Sequence, residues 1–215
     1  MSIANYSDLK SAVGNYLGRS LNAAFQLRVP EFIQMGEARI RYGSAAPLEC
    51  PPVRCRDMET SADITITEGV GTLPTRWLEF TRLYWPGTPN YRLTYIEPNR
   101  FWAEVDRLGT IPQHYTVEGS SIYVTPGASS GTLKTHYYQA YADLADNTDT
   151  NWLLTNVPAV YLHSALIEAF GYVRDRASQE AAALAYASAA RAISDYMAKA
   201  DASGTKLRVV GHMWR

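Results

Sequence analysis

The stretch DITITEG, residues 63–69, decides how the chain is read. Ile64 and Ile66 alternate with Asp63, Thr65 and Thr67, the period of two that marks a half-buried β-strand. Nothing upstream has that period. Ser7 can cap a helix with Leu9, Val13, Tyr16 and Leu17 on one face, closed by Gly18. A second helix opens at Pro30, where proline forfeits no helical hydrogen bond, and runs as PEFIQMGEARIRYG to Gly43. Its Phe32, Ile33, Gly36 and Ile40 lie near one face, with Glu37, Arg39 and Arg41 towards others.

Downstream, the strand period persists to about residue 142. TLPTRWLEFTRLYW turns at Pro74 and gives a strand over 78–85. PGTPN is a turn, YRLTYI a strand, and Pro98 opens a short helix, PNRFWAEVDRLG. HYTVEG, SSIYVTP and GTLKTHYYQA add three more strands. From residue 151 the helical period returns. Asn156 can cap and Pro158 opens PAVYLHSALIEAFGYVRDR, whose core stripe is Leu162, Leu166, Ala169, Phe170 and Val173. Val160, Tyr161 and Ile167 add apolar surface on its other sides, which makes this helix central. An Ala-rich helix over 178–201 follows, with Ala182, Tyr186, Ala189, Ile193 and Met197 on one stripe and small residues that allow close approach. The expected fold is α+β. Residues 1–57 and 143–202 form a helical bundle from the N-terminal helices and a C-terminal helical hairpin. Residues 58–142 form an inserted, small antiparallel β unit with one short helix, and 203–215 an extended C-terminal tail.

Composition limits the function classes. Of 215 residues, 47% are hydrophobic and 19% charged, which predicts a packed core. The net charge of −1 lacks the basic excess of a nucleic-acid binder. No apolar run approaches the ~20 residues needed to span a bilayer, so no membrane partner is expected. MSIANYSDLK has no basic segment ahead of an apolar one, so no secretory signal is expected and synthesis is in a cytosol. Cys50 and Cys55 in ECPPVRC have C-x4-C spacing, unlike the C-x2-C of zinc and redox motifs. Two reduced loop thiols are expected, with a disulfide as the alternative. His114, His136, His163 and His212 are scattered and supply no ligand pair, so neither metal nor cofactor is expected.

Several catalytic signatures are missing: there is no HExxH, Walker loop or GxGxxG. His163, among apolar residues, reads as a core or interface histidine. Glu59, Asp63 and Glu68 could be paired carboxylates of a glycoside hydrolase, but such clusters are usually solvated faces. The aromatics are less ordinary. There are 15 Tyr and 5 Trp, many between Trp77 and Tyr141, more than one β face and one helix can bury. Tyr and Trp are enriched at protein interfaces. The four lysines, Lys10, Lys134, Lys199 and Lys206, suit a surface hidden by partners.

Two segments carry a family resemblance. VPEFIQMGEARIRY at 29–42, followed by MET and TLPTRWLEFTRLYW, resembles the N-terminal half of bacteriophage head-to-tail adaptor proteins. PAVYLHSALIEAFGYVRDR and the helix ending AISDYMAKA resemble their C-terminal hairpin. The order of helices, β insertion, hairpin and tail is similar to the tail tubular protein A type of short-tailed phages. Tyr42, Gly43 and Ser44 stand where that family carries further arginines. The resemblance implies a non-enzymatic structural virion protein at the head–tail neck. It further implies a monomer in solution that forms a dodecameric ring beneath the portal protein. The ring lines a channel through which double-stranded DNA passes without sequence-specific binding, and the near-zero net charge suits that. The β side faces the tail, nozzle or next connector protein, which makes Trp85, Pro86, Gly87, Pro89 and Asn90 a tail-facing loop.

The same resemblance sends the C-terminal tail into the portal. TKLRVVGHMWR, 205–215, holds Leu207, Val209, Val210, Met213 and Trp214 beside Lys206, Arg208 and Arg215, with no acid. On a portal it adds as a strand, with Met213 or Trp214 seated in a pocket and the cations against an acidic surface. Folding back onto its own helices is the alternative. Two other functions remain open: a virion-carried cell-wall hydrolase using Glu59, Asp63 or Glu68, and a glycan- or receptor-binding module using the aromatic β unit.

Overall fold

The computed structural model describes residues 3–19, 21–105, 109 and 111–202. Among them, seven α-helices and eight strands make a mixed α+β chain. The helices are α1 (Tyr6–Tyr16), α2 (Ala23–Gln26), α3 (Val29–Tyr42), α4 (Pro98–Glu104), α5 (Trp152–Asn156), α6 (Pro158–Tyr172) and α7 (Arg176–Ala202). The strands are β1 (Glu59–Ile66), β2 (Val70–Thr72), β3 (Trp77–Trp85), β4 (Tyr91–Arg92), β5 (Thr94–Tyr95), β6 (His114–Glu118), β7 (Ser121–Thr125) and β8 (Gly131–Gln139). Two compact units divide them. One takes the residues up to Arg56 and those from Asp143 on, the other Asp57–Ala142. Among the described residues no helix is long and apolar enough to cross a membrane.

The helical unit is built around α6. Val160, Tyr161, Leu162, Ala165, Leu166, Ile167 and Ala169 are all buried, because α3 packs on one side of the helix and α7 on another. Gly36 sets the α3–α6 approach. A β-carbon there would stand 2.7 Å from Ser164 Oγ and 3.0 Å from the Ala165 backbone nitrogen. α3 stops at Gly43, whose φ of 72° lies in the left-handed region that glycine tolerates best. The segment 50–55 then packs beneath α7, where the fully buried Tyr186 donates its hydroxyl hydrogen to Pro51 O at 3.0 Å. Cys50 and Cys55 are both buried, and no disulfide joins them.

Local capping differs from expectation at three places. Asn5, not Ser7, caps α1, its side chain accepting from Asp8 N. Asn156 does not cap α6. It ends α5, a short helix capped by Asn151, and its amide donates back to Trp152 O. α2 is an extra turn capped by Asn22. Both extra helices are four or five residues long, too short for a periodicity to show. Of the expected stripe on α1, Tyr16 is exposed.

The β unit holds two four-stranded sheets, ordered β1-β8-β3-β4 and β2-β7-β6-β5. Ile64, Ile66, Leu83 and Leu133 of the first meet Ile122 and Val124 of the second in one apolar cluster. This is why β1 alternates: Ile64 and Ile66 point inwards while Asp63 and Thr65 are exposed. Gly69 and the non-glycine Glu68, both at positive φ, turn the chain from β1 into β2 and so from one sheet to the other. The expected single strand YRLTYI is split. Tyr91–Arg92 pairs with β3 and Thr94–Tyr95 with β6, and Leu93 is buried between them. The unit is not wholly antiparallel, because β5 runs parallel to β6. Parallel neighbours need a crossover between them, and the segment containing α4 supplies it.

Candidate functional site

From the sequence Glu37, Arg39 and Arg41 are expected to form a solvated or interface face, and the structure instead turns them towards the returning chain. Glu37 is only 4% exposed, and its Oε1 accepts the Leu144 backbone N–H at 3.0 Å. Burial pushes its carboxyl up from the usual glutamate range, against the opposing pull of that hydrogen bond and of Arg41. Arg39 pairs with Glu168 of α6 and donates to Ser44 Oγ at 2.7 Å. Arg41 pairs with Asp143. Leu144, Glu168 and Asp143 all lie after the β insertion. The three charges therefore clamp the outgoing helix to the returning chain within the helical unit.

Tyr161, two turns before Glu168, closes the same network from α6. Its hydroxyl accepts from Asn151 Nδ2 at 2.8 Å, and burial raises its pKa well above the ordinary tyrosine value. His163 is half-buried on the same helix. Its Nδ1 is buried with no hydrogen-bond partner among the described residues, and desolvation lowers its pKa, which favours the neutral ring. Glu37, Arg39, Arg41 and Tyr161 thus hold the helical unit together.

The acidic trio is dispersed. Glu59 and Asp63 stand four residues apart on β1, about 13 Å at the rise of an extended strand. That exceeds the ~5–9.5 Å between the carboxylates of glycosidases. Glu59 accepts from the Tyr138 hydroxyl at 3.1 Å, Asp63 pairs with Lys134, and Glu68 sits in the turn after β1. Among the described residues no three of His, Cys, Asp and Glu gather where they could hold a metal ion.

The aromatic excess divides between packing and surface. Phe80 meets Trp77, Tyr115 and Tyr137 at ring-centroid distances of 5.0, 5.9 and 6.5 Å. Tyr91, Tyr95 and Trp102 are exposed. Trp102 packs edge-on against Tyr123, and its Nε1–H donates to Glu118 at 2.8 Å. Beside them lies a cleft of about 460 Å³ that also touches Phe101 and Val70.

The loop between β3 and β4 has a fixed base and a free tip. Trp85 is half-buried, and its indole lies over Gly131, where a β-carbon would stand 2.6 Å from the ring. Pro86, Gly87, Pro89 and Asn90 are exposed, with Gly87 N–H donating to Asn90 Oδ1 at 3.2 Å. Tyr91 closes the turn opposite Trp85. The expected portal-binding residues Lys206, Leu207, Arg208, Val209, Val210, Met213, Trp214 and Arg215 lie outside the described residues.

A second groove lies in the helical unit. It holds about 740 Å³ between the Pro47–Glu49 loop and the outer face of α7. Its signal in the sequence was Leu184, an apolar residue off the α7 core stripe, and it is 74% exposed.

The match to known proteins spans this whole arrangement of helices, β insertion and returning helices. A search of the curated proteins finds no match. The model of the SU10 adaptor protein family, however, matches residues 4–210, nearly the full chain. The chain belongs to the SU10 adaptor protein family, a family of bacteriophage structural adaptors.

Proposed function

We propose that this phage adaptor is a head-to-tail connector of the tail tubular protein A type. It joins the portal protein to the tail and forms a ring, dodecameric by analogy, around the DNA channel. The observation that carries the proposal is the match of the family model over residues 4–210. Family membership makes partners among other virion proteins the expectation, and portal and tail are the two that an adaptor at the neck must join. In this reading the helical unit acts as a bundle that packs against its copies. The exposed turn Pro86–Asn90 faces the tail or nozzle, and residues 206–215 reach the portal. Double-stranded DNA slides past a ring whose subunits carry a net charge of −1.

The test is the mass and symmetry of the protein alone and with its phage's portal, by light scattering and negative-stain imaging. The expected result is a monomer of 23.9 kDa that becomes a stoichiometric ring on the portal. A protein that leaves the portal unchanged at micromolar concentration overturns the proposal.

A further inference from the structure

The groove on α7 fits a segment of this same chain. Its floor is apolar, formed by Ala183, Leu184 and Ala187, and Pro47 and Leu48 make the facing wall. Among the described residues Glu49, Glu180 and Asp195 line its rim with the cation Arg191, and Glu180 already pairs with Arg176 at 2.9 Å. Leu184 is 74% exposed in the middle of a long helix, and among the described residues nothing covers it.

Residues 205–215 begin three positions beyond Ala202, the end of α7, and have the opposite character. They carry three cations, Lys206, Arg208 and Arg215, and no acid. Read at the strand period, Leu207, Val209, Gly211 and Met213 share one face, which is apolar throughout. A groove with an apolar floor and acidic rim matches an apolar strand face with basic flanks.

The lengths also agree. A strand advances about 3.3 Å per residue and a helix about 1.5 Å, so a strand running back along α7 passes about two helical residues per residue of its own. With the reversal at Ser203 and Gly204, Arg208 comes level with Asp195. Met213 then comes level with Leu184, and Arg215 with Glu180. Asp195, Leu184 and Glu180 are the acidic, apolar and acidic parts of the groove in the same order.

We infer that in the free protein residues 205–215 lie in the α7 groove of their own chain, as a strand antiparallel to the helix. Met213 covers Ala183, Leu184 and Ala187, Leu207 and Val209 lie further along α7 towards its C-terminal end, and Arg208 meets Asp195. The inference deepens the connector reading and, for its purpose, rests on it: the groove shelters the apolar tail until a portal competes for it. The docking itself involves no portal, so its test and that of the connector reading fail separately.

Hydrogen–deuterium exchange of the full-length protein tests the inference. Amides of 207–213 should exchange about tenfold or more slower than an unstructured chain, independently of protein concentration. Leu184→Lys should return them to the unstructured rate with the melting temperature unchanged, because Leu184 already faces solvent. Asp195→Lys, at the other end of the groove, should act likewise and serves if Leu184→Lys melts lower. Unprotected amides in the wild type overturn the inference, and so does protection that survives both substitutions. Protection that vanishes on dilution also overturns it, since the occupant is then the tail of a second copy.

Discussion

Glu37 brings a carboxyl group into the interior of the helical unit and joins it to a backbone N–H 107 positions away. Its burial raises the pKa above the ordinary 4.5, so the folded state holds this proton more tightly than the unfolded chain does. Protonation of Glu37 therefore adds stability, in full below 4.5. That contribution is lost as pH rises through the raised folded value. Glu37→Gln is neutral at every pH and can still accept from Leu144. Urea unfolding at a series of pH values should show the wild type losing stability relative to this variant from 4.5 upwards. Parallel profiles would show that Glu37 is not the buried titrating group. Glu37→Ala leaves the Leu144 N–H buried without a partner and should cost about 1–3 kcal/mol at any pH. None of this was legible in the sequence. Charges on a helix usually face water, and the partner that makes burial tolerable lies beyond the whole β insertion.

At the scale of elements, the long periodic segments were legible and the short ones were not. α3, α6 and α7 each present an apolar stripe over at least fourteen residues, and the strand period of β1 is set by a core that two sheets share. YRLTYI reads as one strand because pattern records which side is buried, not which neighbour is paired. A parallel partner is chosen by the crossover, a matter of topology. Gly36 was legible as a position on the apolar face of α3, but its closeness to α6 needed the structure. Gly36→Ala puts a β-carbon 2.7 Å from Ser164 Oγ and 3.0 Å from the Ala165 backbone nitrogen. Overpacking of this kind should destabilise by about 1–3 kcal/mol, measured by the denaturant midpoint. Adding Ser164→Gly relieves the hydroxyl contact but not the one to backbone, so the double variant should recover only part of the loss. Full recovery would mean that α3 and α6 touch here through the serine alone.

At the scale of the molecule, the same chain has to be stable alone and adhesive in company. The clamp of Glu37, Arg39 and Arg41 lies wholly within the helical unit, so those contacts hold whether or not a partner is bound. For adhesion to the portal, the tail is the segment whose composition suits the work. On the connector reading, each tail contributes one weak contact, because ordering an extended segment costs conformational entropy. A closed ring repeats that contact in every subunit, and repetition makes assembly steep. Weakening each contact by about 0.5 kcal/mol in a dodecamer removes about 6 kcal/mol in all, more than four decades in the assembly constant. Trp214→Ala should therefore barely change the affinity of an isolated 205–215 peptide for the portal, yet prevent the ring from forming at the same protein concentration. Deleting 205–215 should abolish the ring while leaving the melting temperature and circular dichroism of the protein unchanged. A truncated protein that still assembles on the portal would move the binding surface into the folded units, where the exposed aromatics Tyr91, Tyr95 and Trp102 become the residues to substitute next.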